Sequence, residues 1–202
     1  VLQGYGLTEC SPLVAGNNDF YYKAASCGMP IPNVEYKIDN PNDEGIGEII
    51  VKGPNVMLGY YENKEATDKV LKEGWFHTGD LGYIDEERFL YISGRSKNMI
   101  LTKNGENIYP EEIEAKINNL PYVNESIVIE QEGKLVALIY PDFENAEKQG
   151  LTNKIEEVME ENRITVNKIL PGYSQISKVK IYYEEFEKTP KRSIKRYLYQ
   201  NA

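Results

Sequence analysis

GRSKNMILTKNGENIYPEEIE, residues 94–114, holds the punctuation from which the rest of the chain is read. Asn104-Gly105 suits a tight hairpin turn because both residue types tolerate positive φ, and it sits between MILT and ENIY. Pro110 then stands where a helix begins: its fixed φ is helical and its missing N–H would have had no partner in the first turn. The spacing predicts a helix over EEIEAKINNL, with Ile113, Ile117 and Leu120 on one face. The charged run GRSKN at 94–98 separates this texture from a different one upstream, so the chain is divided into residues 1–96 and 97–202.

Downstream, ESIVIEQ and KLVALIYP read as two strands joined through Glu132-Gly133. Residues 152–170 are expected to form the longest helix, with Ile155, Val158, Met159, Val166, Ile169 and Leu170 mostly on one stripe. KVKIYYE at 178–184 alternates as a strand, and RSIKRYLY is expected to close the chain as a short helix. Upstream, residues 1–27 are glycine-rich and irregular, and short alternating runs follow: VEYKI, GEIIVKG, DLGYID and RFLYISG. Turn formers separate these runs, which predicts small antiparallel strands in a barrel-like or twisted sheet. NKEATDKVLKEG at 63–74 interrupts them as a helix, with Ala66, Val70 and Leu71 facing inward. The fold class is therefore α+β: a small β-rich subdomain, then a compact α+β domain with helices flanking a small sheet. There are no internal repeats and no low-complexity tract.

The chain has 202 residues, enough to bury a real core in one large domain or two small ones. A formal net charge of −9 argues against nucleic-acid partners and against nonspecific binding to anionic membranes. No apolar run reaches membrane-spanning length, and the start shows no signal-peptide pattern. Cys10 and Cys27 read as reduced, partly buried thiols, and a cytoplasmic location is expected. The lone histidine, His77, reads as structural, so any chemistry must rest on carboxylates, lysines, a metal or a cofactor.

Four stretches could carry such chemistry. In QGYGLTE, Gly4 and Gly6 let a ligand approach the backbone, Tyr5 offers a stacking face, and Thr8 and Glu9 offer a hydroxyl and a carboxylate. Those groups suit a nucleotide with Mg²⁺, which takes one or two carboxylates plus phosphate oxygens. Taken alone, a glycine turn before a strand explains the stretch better. In GWFHTGD, Asp80 could accept both hydroxyls of a ribose, against the plainer reading of a hydrogen-bonded turn. In GRSKNMILTKNGENIYPEEIE, Arg95 is permanently charged and suits ribose or phosphate, while Lys97 and Lys103 are ambiguous surface lysines. The tail KTPKRSIKR, residues 188–196, gathers five cations in an acidic chain and reads as an anion site or a solvated helix end.

Taken in order, QGYGLTE, GEIIVKGPNVMLGYYENKEAT, GWFHTGDLGYID and GRSKNMILTKNGENIYPEEIE closely resemble the successive core motifs of the AMP-forming adenylating superfamily. The GENIYPEEIE version looks most like bacterial long-chain fatty acid–CoA ligases. The resemblance implies a two-step activation: ATP and a fatty acid give an acyl-adenylate and pyrophosphate, then the thiol of coenzyme A displaces AMP. It also implies roles. Tyr5 would lie against adenine, Thr8 would contact phosphate, and Glu9 would hold Mg²⁺. Asp80 and Arg95 would hold the ribose hydroxyls, and Ile92 would pack near the nucleotide. Lys97 would be the hinge of a mobile small domain, and Gly105 would let the hairpin pass close to the pantetheine arm.

In that family a phosphate loop and most of the acyl pocket precede QGYGLTE. The chain is accordingly expected to be a C-terminal piece without ligase activity of its own, with peripheral membrane contact left to the missing part. One departure stands out. A catalytic lysine usually precedes Ile-x-Arg in the tail, whereas here Ser193 precedes Ile194. Lys195 or Lys191 is expected to substitute. The alternatives are an adenylation domain that loads a carrier protein, and a non-catalytic nucleotide- or CoA-binding module, for which Ser193 speaks.

Overall fold

The computed structural model describes residues 2–200 apart from Lys103 and Lys191. It divides into two compact units, Val1–Lys97 and Asn98–Ala202.

The first unit is built of short antiparallel strands. β1 (Gly4–Gly6), β2 (Leu13–Gly16) and β3 (Met29–Pro30) form a three-stranded sheet, so order reaches into the stretch that looked irregular in sequence. β4 (Glu35–Asp39), β5 (Gly47–Lys52), α1 (Lys64–Val70), β6 (Leu71–Lys72), β7 (Trp75–Ile84) and β8 (Leu90–Arg95) follow. β7 is the spine of the second sheet: β5 pairs along one edge, and β6 and β8 pair along the other. The core gathers Val14, Val34, Tyr36, Ile49, Val51, Phe76 and Leu90, the alternate positions of these strands, together with Cys10. Both cysteines are free, with Cys10 buried and Cys27 half-buried.

The helix expected over 63–74 is shorter. Asn63 caps it, its side chain accepting from the Ala66 N–H at 3.0 Å. The chain leaves the helix at Leu71 because Glu73 and Gly74, both at positive φ, turn Leu71 and Lys72 back onto Phe76 and Trp75. Ala66 and Val70 are half-buried rather than fully enclosed.

In the second unit, β9 (Ile100–Leu101) and β10 (Asn107–Ile108) form the hairpin, with Gly105 at φ +87°. α2 (Pro110–Ile117) opens on Pro110 and buries Ile113 and Ile117. β11 (Val123–Gln131) and β12 (Lys134–Pro141) pair through a Glu132-Gly133 turn in which both residues have positive φ, as a two-residue hairpin requires. α3 (Phe143–Lys148) and α4 (Ile155–Asn167) then carry the chain across to β13 (Ile176–Ile181), which lies parallel to β12. A parallel neighbour needs such a crossover. The main core packs Ile113, Ile117, Val128, Leu135, Ala137, Ile139, Met159, Val166 and Ile176 between helices and sheet. The other face of the sheet holds a second cluster: Ile127, Ile129, Val136, Leu138 and Phe186.

Three expectations are corrected here. The long helix spans Ile155–Asn167, not 152–170, and Ile169 lies beyond it at 64% exposure. The last strand sits earlier, at Ile176–Ile181. RSIKRYLY is not a regular helix: Ile194 bridges Lys188, and only Arg196–Leu198 makes a single 3₁₀ turn. Packing overrides helix propensity there, because Ile194 and Tyr199 both dock against the Phe186 cluster.

Candidate functional site

β7 and β8 place Asp80 directly opposite Arg95. The pairing is regular from Leu90 to Ile92 and shifts register between Leu81 and Gly82, which sets the strand ends where the two charged residues meet. Asp80 is buried, its side chain 7% exposed, whereas that of Arg95 is 48% exposed. Arg95 Nε stands 2.6 Å from Asp80 Oδ1. From β1, the Tyr5 hydroxyl donates to Asp80 Oδ2 at 2.6 Å. Below the carboxylate, the Asp80 N–H donates to Thr78 Oγ1 at 3.0 Å, and that hydroxyl donates to the Ile49 carbonyl at 2.7 Å. Burial pushes the Tyr5 phenol well above the ordinary tyrosine range, and the Asp80 charge pushes it further, so the phenol stays a donor.

His77 braces the same strand. Its Nδ1 lies 2.7 Å from Glu48 Oε2, and Glu48 Oε1 accepts from the Gly79 N–H at 2.9 Å, one residue before Asp80. Asp39 joins them within a 4.8 Å cluster. The His77–Glu48 pair agrees with the structural reading of the histidine.

The resulting arrangement is a carboxylate fixed in place by a cation and a phenol. A carboxylate pair of oxygens accepts about four hydrogen bonds in all, so such a group can take the vicinal hydroxyls of a sugar as well as its braces. The half-exposed guanidinium alongside can reach the same ligand.

Thr8 and Glu9 lie in the 3₁₀ turn after β1, where the Met57 N–H donates to the Glu9 carbonyl at 2.7 Å. The Tyr60 hydroxyl donates to Glu9 Oε1 at 3.1 Å, which orients the carboxylate from a second loop. One held carboxylate beside a hydroxyl fits Mg²⁺ that arrives with a polyphosphate, since that ion keeps few protein ligands. Ile92 is 37% exposed on β8, three positions before Arg95. Lys97 is exposed in the turn Ser96–Asn98.

In the second unit the hairpin bearing Gly105 borders a cavity of about 420 Å³. Asn104, Thr102, Glu130, Lys134 and Tyr173 are among its lining residues. A Cβ on Gly105 would meet nothing within 4 Å, so the glycine serves the backbone turn. In the tail, Lys195 Nζ pairs with Glu187 Oε2 at 3.1 Å. Ser193 is exposed, its N–H donating to Thr189 Oγ1 at 3.3 Å. Lys191, the other candidate cation, lies outside the described residues, as does Lys103.

Residues not singled out from sequence also matter: Thr78, Tyr60, and the part-buried pair of Arg196 with Glu114. Thr78 stood inside the quoted TGD and could have been read as a brace. The other pairings join residues tens of positions apart, and no local pattern shows them.

Fold and site thus define a chain of mixed α+β class whose first unit carries one buried carboxylate, Asp80, braced by Tyr5 and Arg95. It matches two family models, AMP-binding enzyme over residues 1–61 and AMP-binding enzyme C-terminal domain over residues 97–201. The chain belongs to the AMP-binding enzyme family. The long-chain-fatty-acid–CoA ligase of Escherichia coli O6:H1 is 48% identical over 131 residues, which cover 62% of this chain and 23% of that protein. The 2-succinylbenzoate–CoA ligase of Bacillus velezensis is 45% identical over 132 residues, or 62% of this chain and 27% of the relative. Among solved structures, the O-succinylbenzoate coenzyme A synthetase MenE from Bacillus subtilis in complex with AMP matches with a TM-score of 0.79 at 29% identity. That match covers 100% of this chain and 41% of MenE. The chain spans about a quarter of the length of these curated relatives.

Proposed function

We propose that this chain is the C-terminal part of an AMP-forming long-chain fatty acid–CoA ligase. The observation that carries the reading is the Tyr5–Asp80–Arg95 constellation, found in a chain of the AMP-binding enzyme family. Asp80 and Arg95 hold the ribose hydroxyls of ATP, Tyr5 offers its ring to the adenine while its hydroxyl steadies Asp80, and Ile92 supplies apolar contact beside the nucleotide. Thr8 contacts phosphate. Glu9 holds Mg²⁺, which when bound offsets charge on the phosphate oxygens.

The fatty acid carboxylate attacks the α-phosphorus of ATP, pyrophosphate leaves, and an acyl-adenylate forms. The thiol sulfur of coenzyme A then attacks the acyl carbonyl carbon, its proton passes to solvent, and AMP departs with the bonding electron pair. The chain's own residues bind and orient the leaving nucleotide, and a tail cation, Lys195 or Lys191, offsets charge that develops at the α-phosphate. Lys97 is the hinge between the two units. Gly105 keeps the hairpin low enough for the pantetheine arm, with the neighbouring cavity open to the rest of coenzyme A.

The long-chain assignment is supported by the 48% identity to the Escherichia coli ligase. The 45% identity to a 2-succinylbenzoate ligase supports the shared adenylate chemistry. The test is thioester formation by the complete ligase against saturated acids of two to eighteen carbons. Coenzyme A thioesters formed fastest with long chains support the reading. Equal rates with short or aromatic acids would replace the substrate, and no thioester with any acid would remove the ligase. The 202-residue chain by itself is expected to form none.

A further inference from the structure

Arg196 is held by two elements of the second unit, α2 and β11. Its guanidinium pairs with Glu114 Oε2 on α2, and Nη1 donates to the Val128 carbonyl on β11 at 3.3 Å. Glu114 Oε1 in turn accepts the Val128 N–H at 2.6 Å, which closes a ring of helix, strand and tail. One turn earlier on the same helix, Glu111 Oε1 lies 3.9 Å from Arg196 Nε and accepts the Asn98 amide at 2.5 Å. Asn98 is the first residue of the unit, immediately after Lys97. Glu111 Oε2 is buried without a hydrogen-bond partner among the described residues. Burial pushes the Glu114 carboxyl up, with Arg196 and the Val128 N–H acting in the opposite direction.

A solvated tail needs none of this. Glu114 is desolvated and Glu111 half-buried to receive one side chain, and that cost is offset only if the side chain is placed well. The residues around it alternate. Ile194 packs in the Phe186 cluster and Arg196 enters the acidic ring, while Lys195 between them pairs with the exposed Glu187. Fixing Arg196 therefore fixes the backbone that carries Lys195, Ser193 and the turn at Thr189.

We propose that Arg196, clasped by Glu114 and Glu111, is a positioning residue for adenylation. It holds the cationic tail hairpin in register with Asn98 at the start of the unit, so tail and junction move together. The proposal rests on the ligase reading above. It assigns no contact with substrate to Arg196; the residue acts through the hairpin cation it places.

The test uses the complete ligase with Arg196→Lys and, because that variant carries the greater folding risk, Glu111→Gln. Two half-reactions are measured separately: fatty acid-dependent ATP–pyrophosphate exchange, and thioester formation from synthetic acyl-adenylate. Hydrogen exchange of residues 194–199 is followed in the 202-residue chain. Both variants are expected to slow pyrophosphate exchange about tenfold or more, with KM for ATP and the thioester step within about twofold, and to speed amide exchange in the tail. Wild-type exchange rates in both variants, or equal losses in both half-reactions, would overturn the positioning role and leave the ligase reading intact. A wild-type enzyme with no fatty acid-dependent exchange would overturn the ligase reading itself and this role with it.

Discussion

Asp80 is held by two groups that sequence places 75 and 15 residues away, Tyr5 and Arg95. Replacing Tyr5 by phenylalanine leaves the ring and removes the donor. A hydrogen bond to a charged acceptor contributes about 1.5–3 kcal/mol, so Tyr5→Phe is expected to destabilise the first unit by about 2 kcal/mol at pH 7, read from urea unfolding. The pH dependence has a definite sign. The folded-state pKa of Tyr5 is raised, so its contribution is fully present below the ordinary tyrosine value and is lost as pH rises through the raised one. The stability gap between wild type and variant should stay constant from pH 7 to 9 and shrink above about pH 10. A gap that widens there would contradict the burial of the phenol. The residue types at this site were legible because GYG, TGD and GR each stand in short, punctuated runs. Their meeting was not, since a bond between β1 and β7 leaves no trace in local spacing.

Elements with strong local chemistry could be read directly: the Asn104-Gly105 and Glu132-Gly133 turns, the proline start of α2, and the alternation of β4, β5 and β8. The misreadings arose where tertiary packing decided. The tail has helical composition, yet Ile194 and Tyr199 serve a cluster on the far face of the sheet. α3 is only six residues long and carries little periodicity to detect. Glycines separate the two kinds of site constraint. At Gly82 an added Cβ would lie 2.1 Å from the Tyr91 carbonyl, between the strands that carry Asp80 and Arg95. Gly82→Ala must therefore shift β8, and a loss of about 2–3 kcal/mol is expected, accompanied by weaker AMP binding in the complete ligase. Gly105→Ala meets open space and bears only the left-handed φ, a cost of about 1 kcal/mol. Calorimetry of both variants checks the order; a larger loss at Gly105 would contradict it.

On the scale of the molecule, each unit has its own buried core, one around Ile49, Val51 and Phe76 and the other around Ile117, Met159 and Ile176. Separate cores predict two calorimetric transitions and first cleavage by trypsin near Lys97, which is exposed in its turn. A single two-state transition with protection at Lys97 would contradict that independence. The ligase account depends most on the buried carboxylate. Its most direct test is fatty acid-dependent ATP–pyrophosphate exchange by the complete ligase, comparing wild type with Asp80→Asn. The account predicts robust exchange in the wild type and a rise of at least tenfold in KM for ATP in the variant. Exchange that proceeds equally well without the Asp80 charge would contradict it.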